Sequence, residues 1–89
     1  NQVIAWASSW VLGGLAMDEL AVQSWESVYS GGRWAVWSFK PEIQFNTWFV
    51  EAHHNALSYN SSYKYKVDSY HLVTNDGVSN ASWTADTKL

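Results

Sequence analysis

Cysteine is absent, proline occurs once, and the first seventeen residues, Asn1 to Met17, carry no ionisable side chain. The missing cysteine excludes a disulfide framework and any thiolate-bound metal. Five Lys and Arg stand against eight Asp and Glu, for a net charge of −3. With Lys64 and Lys66 as the only close basic pair, the electrostatic footprint of a nucleic-acid binder is missing. No apolar run approaches the roughly eighteen residues a membrane-spanning helix needs, so no transmembrane segment is expected. No low-complexity tract, Pro-rich linker or charge block divides the chain, and residues 1–89 read as a single domain. The chain opens on Asn1 with neither an initiator Met nor the basic flank of a signal peptide, which predicts a processed mature product.

Aromatic residues are plentiful: seven Trp, five Tyr and three Phe. A domain of this size buries only about 60 to 65% of its unfolded surface, so it needs a compensating source of stability. Each buried aromatic removes about 150 to 250 Å² from water, and a dense ring core is the expected substitute for cross-links.

From Met17 to Tyr29 the apolar positions Met17, Leu20, Ala21, Trp25 and Val28 recur at spacings of three and four. Asp18 and Glu19 lie in the first turn and Gly31 just past the end, the pattern of an amphipathic helix. Beyond Gly32 the period becomes two. Arg33 to Phe39 reads as a strand, Lys40 to Glu42 as a turn, and Ile43 to His54 as a second strand with Ile43, Phe45, Thr47 and Phe49 on one face and Gln44, Asn46, Trp48 and Val50 on the other. A third strand, Tyr63 to Thr74, precedes the turn residues Asn75, Asp76 and Gly77, and a last strand covers Val78 to Thr87. The segment Val3 to Leu12 suits a strand with Ile4, Trp6, Trp10 and Leu12 on one side, or a helix; periodicity does not decide. The expected fold is α+β, one amphipathic helix packed on a four- or five-stranded antiparallel sheet.

With the first segment as a strand, the order resembles a cystatin-type sheet wrapped on one helix, with Gly13 and Gly14 where cystatins carry a glycine in the N-terminal trunk. The likeness is architectural, because Lys40, Pro41 and Glu42 replace the expected QxVxG and the last hairpin has no Pro-Trp pair. What it implies is a proteinase inhibitor of cystatin-like shape. The general look, a hydrophobic segment on an α/β sandwich, is also similar to that of small fungal killer toxins assembled from processed subunits.

Chemistry-bearing constellations are sparse. His53, His54 and His71 are the only imidazoles. Strand alternation puts Glu51 and His53 on one face and His54 on the other, and no third metal ligand converges. The eight carboxylates are scattered, and there is neither a nucleophile elbow nor a phosphate-cradling loop. No catalytic residue, metal or cofactor is therefore expected, and the chain reads as a non-enzymatic protein. Sequons at Asn60 and Asn80 fit a secreted glycoprotein.

The aromatic pattern is the more specific signal. If Ile43, Phe45 and Phe49 face the helix, Trp48 faces outward with Gln44 and Asn46, and Tyr70 joins them from the next strand. Flat rings beside amides suit a carbohydrate or another cell-surface ligand, since the ring supplies area and the amide direction. The charge-free segment Asn1 to Met17, with Trp6 and Trp10, supports an alternative, contact with a membrane or with a protein partner such as a second processed chain. The expected function is a secreted binding protein acting through exposed aromatics.

Overall fold

The computed structural model describes residues 1–88, with side chains through Thr87. In chain order its elements are β1 (Gln2–Val3), β2 (Trp6–Trp10), β3 (Met17–Ser30), β4 (Arg33–Thr47), β5 (Phe49–His53), β6 (Leu57–Ser58), β7 (Lys64–Asn75) and β8 (Val78–Lys88). There is no helix among the described residues. The expected α+β fold, with its cystatin-like or α/β-sandwich order, is thus corrected to an all-β one.

The correction turns on Met17 to Tyr29, which is a central strand and not a helix. β3 pairs antiparallel with β4 along one edge and β7 along the other, in a sheet of order β4-β3-β7-β8. Its burial follows period two: Leu20, Val22, Ser24, Glu26 and Val28 are all buried on one face. Two polar residues in that inner row disguise the alternation. Val22, Ser24, Trp25, Val28 and Tyr29 are also indifferent helix formers, and two flanking strands satisfy the backbone more completely than an isolated helix would. Fourteen residues of strand account for much of the molecule's 47 Å length.

Gly31, expected as a helix stop, is instead half of a hairpin. Ser30 pairs with Arg33 across Gly31 and Gly32, whose φ values of 64° and 84° match the two-residue turn that suits twisted strands. Asp76 and Gly77 close the β7–β8 hairpin in the same way, with φ values of 52° and 75°. Lys40, Pro41 and Glu42 form no turn. β4 runs straight through them, and Pro41 is tolerated because β4 lies at the sheet edge, where a missing N–H can face solvent.

The N-terminal segment is a strand. β1 and β2 pair antiparallel with β6 and β5, and the ribbon they form is extended by the Val11 N–H on the Trp48 carbonyl and the Tyr59 N–H on the Asn1 carbonyl. This ribbon lies across the inner face of the sheet, where Ala7, Val50 and Ala52 pack with Leu20 and Val22. Small residues of the ribbon point inward, while Ile4, Trp6 and Trp10 point outward and are exposed. The core is therefore thin and aliphatic, and Tyr65 is its only buried aromatic among the described residues.

Candidate functional site: an aromatic face on the open side of the sheet

The outer face of the four-stranded sheet has no layer over it among the described residues. Cross-strand partners share a face, so Glu19, Ala21, Gln23, Trp25, Ser27 and Tyr29 of β3 are joined there by Phe45, Ile43, Pro41, Phe39, Val36 and Trp34 of β4. One irregularity makes this set possible. Glu26 pairs with Ser38 and Ser27 with Val36, which leaves Trp37 as an extra residue in β4. This bulge shifts the parity of the strand, so Trp34 and Val36 before it point the same way as Phe39, Ile43 and Phe45 after it. Trp37 itself is exposed and meets Tyr63 edge-on at 6.0 Å.

A row of rings crosses the sheet. Trp25 lies 5.1 Å from Phe39 and 5.5 Å from Trp83, and Trp83 lies 4.9 Å from Tyr70. Trp83, on the edge strand β8, keeps 64% of its surface exposed. A second cluster pairs Tyr29 with Trp34 at 5.3 Å. Between the two runs a trough of about 480 Å³ lined by Trp25, Ser27, Trp34, Val36, Lys66, Asp68 and Trp83. Lys66 Nζ stands 4.6 Å above the Trp34 ring and 3.7 Å from Asp68 Oδ2. Lys64 likewise covers Tyr29 at 5.2 Å. The trough thus combines flat apolar walls with a cation, a carboxylate and the Ser27 hydroxyl.

The inner face carries the polar chemistry. His54 is buried, with Ser38 Oγ 2.7 Å from Nδ1 and Ser24 Oγ 2.8 Å from Nε2, and the Ser69 hydroxyl donates to Ser24 Oγ at 3.2 Å. A neutral imidazole, one nitrogen donating and one accepting, satisfies this chain. Burial pulls the His54 pKa below the ordinary value, and the nearby Lys40 charge adds to the fall. His71 bridges Ser9 Oγ at 2.8 Å and Thr84 Oγ1 at 2.7 Å; burial lowers its pKa too, opposed by a hydrogen bond with the Ser8 backbone. His53 points outward, contacting Glu51 and stacking with Trp6 at 6.5 Å. The three imidazoles therefore serve three separate contacts, and no cluster of three or more potential metal ligands occurs among the described residues.

Of the expected ligand residues, only Tyr70 belongs to the aromatic row. Gln44 is cross-strand from Leu20 and so lies on the inner side, beyond the ribbon's cover. Asn46 takes a left-handed φ of 52° at an unpaired position near the end of β4, a conformation its short amide tolerates. Trp48 sits where the chain turns from sheet to ribbon, half-exposed against Phe49 at 5.7 Å. The alternation of Ile43 and Phe45 against Gln44 holds, but its sides are reversed, because the apolar row faces outward and no helix covers it. Trp6 and Trp10 are exposed on the ribbon's outer face, Trp10 opposite Phe49. Asn60 is exposed in a turn, its Oδ1 accepting the Ser62 N–H at 2.8 Å, whereas Asn80 lies within β8 opposite Val73.

From sequence, Trp25 is expected on the apolar face of a helix, and neither Trp34 nor Trp83 is marked as a ligand residue; all three lie on the outer face of the sheet. The signal for Trp83 was its place in a strand paired with that of Tyr70; Trp25 was hidden by the helical spacing, and Trp34 by the bulge. No protein-family description, curated protein or solved structure matches the chain.

Proposed function

We propose that the chain is a secreted, non-enzymatic binding protein that takes carbohydrate on the open sheet face, in the trough between Trp34 and the Trp25–Trp83 pair. The observation that supports this reading is the combination of ring walls with a polar floor. A sugar offers an apolar C–H face to an aromatic ring and a rim of hydroxyls to polar groups. Here Trp25, Trp34 and Trp83 provide the first contact, and Asp68, Lys66 and Ser27 the second. The row Phe39, Trp25, Trp83, Tyr70 runs across the strands, which suits a chain of sugars better than a single unit. A glycan array followed by tryptophan-fluorescence titration tests the idea. Trp83→Ala and Trp34→Ala should each weaken binding by about tenfold or more, as loss of a central aromatic anchor does, while Trp48→Ala should leave it unchanged. Full binding by both trough variants would sink the reading.

A second reading, contact with a membrane or protein partner, is favoured by the outer face of the ribbon. Trp6 and Trp10 are exposed there, Trp48 is exposed where the sheet passes into the ribbon, and the uncharged turn that follows β2 holds Leu12 with 84% of its surface exposed. Liposome leakage measured beside the glycan array separates the two, with a blue shift of Trp6 and Trp10 emission on vesicles as the positive result. The inhibitor reading has no support left, since it rested on a helix-wrapping sheet.

A further inference from the structure

Glu26 is the least expected residue of the interior. Its side chain is 1% exposed, and neither carboxylate oxygen has a hydrogen-bond partner. It lines a cleft of about 540 Å³ between the N-terminal strands and the β7–β8 hairpin, on the side of the sheet away from the aromatic trough. A buried, unpaired carboxylate is among the most unfavourable groups a fold can hold, and burial accordingly raises the Glu26 pKa.

The neighbours that could have answered it are engaged elsewhere. Ser69 donates to Ser24, the His71 nitrogens meet Ser9 and Thr84, and the Tyr65 hydroxyl accepts the Asn60 N–H at 2.9 Å. Lys66 also borders the cleft, but its ammonium is held on the other face between Asp68 and the Trp34 ring. The second acid in the lining, Asp86, adds negative charge, while Val3, Ala5, Ala7 and Val67 make the walls apolar.

We propose that this cleft binds a small organic ammonium cation, its charged head paired with the Glu26 carboxylate and its apolar body against Val3, Ala5, Ala7 and Val67. A bare metal ion fits less well: it asks for several oxygen ligands, whereas Glu26 stands among apolar side chains and hydroxyls already committed to other bonds. An organic ammonium asks for fewer oxygens than a metal ion: one N–H pairs with the carboxylate, the others face the open mouth of the cleft, and the charge-assisted contact gives the cleft its selectivity. This site is independent of carbohydrate binding on the opposite face.

Benzylamine, protonated at neutral pH, is a suitable probe, with benzyl alcohol as its uncharged counterpart. Both are titrated into the 15N-labelled protein and followed by amide chemical shifts. Benzylammonium should shift amides of Val3 to Ala7, Val67 and Thr84, and bind about tenfold or more tightly than benzyl alcohol. Glu26→Gln, which keeps the shape and removes the charge, should abolish that preference, and Asp86→Asn should reduce it about two- to threefold. Equal binding of the two probes, no saturable shift with benzylamine, an unchanged preference in Glu26→Gln, or shifts confined to Trp34 and Trp83 would each overturn the proposal. The probe comparison on the unaltered protein decides the matter even if Glu26→Gln fails to fold.

Discussion

Acidification should weaken the fold through its inner face, where burial shifts the pKa values of two histidines and a glutamate. His54 and His71 have pKa values lowered by burial, so between their folded values and the ordinary 6.5 the unfolded chain binds protons that the folded chain refuses. Their contribution is complete above about pH 6.5 and is lost as pH falls below it, by up to about 1.4 kcal/mol per pH unit for each group. His71 is only partly buried and contributes less than this limit. Glu26 has the opposite sign. Its raised pKa means that the folded chain keeps a proton the unfolded chain has released above about 4.5, so its contribution is complete below that pH and is lost as pH rises through the folded value.

Between pH 4.5 and 6.5 these terms oppose one another. The two histidines make stability rise with pH and the glutamate makes it fall, each by at most about 1.4 kcal/mol per unit, so the slope is the difference of these opposing contributions. Urea unfolding followed by tryptophan emission, repeated from pH 4.5 to 7.5, measures the slope. The variants isolate each group. His54→Gln should make the slope less positive below about pH 6.5, and Glu26→Gln should make it more positive above about pH 4.5, each by at most about 1.4 kcal/mol per unit. A Glu26→Gln profile parallel to the unaltered protein would show that Glu26 titrates in the fold as it does in the unfolded chain. An unchanged slope in His54→Gln would refute the neutral, doubly bonded imidazole.

Further outcomes follow from packing and turns. Leu20→Ala, at the centre of the aliphatic core, should destabilise by about 2 to 5 kcal/mol in urea unfolding, a large fraction of what a domain this small has. Trp83→Ala should lower stability by about 1 to 3 kcal/mol, the sum of its two ring contacts, and urea unfolding of that variant separates lost ligand binding from lost folding. Gly32→Ala should cost roughly 1 to 2 kcal/mol through conformation alone, because φ is positive there and an added Cβ would touch nothing within 4 Å. Amide exchange across Trp6 to Trp10 should be slow, since the segment is a paired strand over the core, and fast exchange there would contradict the ribbon.

β7, β8 and the hairpin between them are legible in the sequence because their local chemistry agrees with their place in the fold. Asp76 and Gly77 supply positive φ for a two-residue turn, and the residues on either side alternate. The central strand was not legible. A helix pattern and a strand pattern coexist in Met17 to Tyr29, and what selects the strand lies outside the segment: β4 and β7 bond both edges at once. Pro41 misled for a related reason, since a proline ends a strand only where its N–H is needed, and whether β4 was an edge could not be read locally. The bulge at Trp37 was hidden too, because an extra residue changes parity without leaving any mark in composition.

These failures share a physical origin that also bears on function. An aromatic-rich small chain is expected to bury its rings, yet this one fills its interior with Ala, Val, Leu, Ser and His and sets Trp6, Trp10, Trp37, Trp48 and Trp83 at the surface. Small residues on β2 and β5 let the ribbon approach the sheet closely, and among the described residues Tyr65 is the one aromatic ring of Phe, Tyr or Trp that is buried. Rings excluded from the core go to the open face or to the ribbon's outer face, where their exposure works against solubility. The bulge then gathers rings from both halves of β4 onto one side of the sheet, so the feature that hid the trough from the sequence is the one that builds it. Trough and Glu26 cleft lie on opposite faces of β3, and alternation along that single strand lets a change at Trp25 alter one site while a change at Glu26 alters the other.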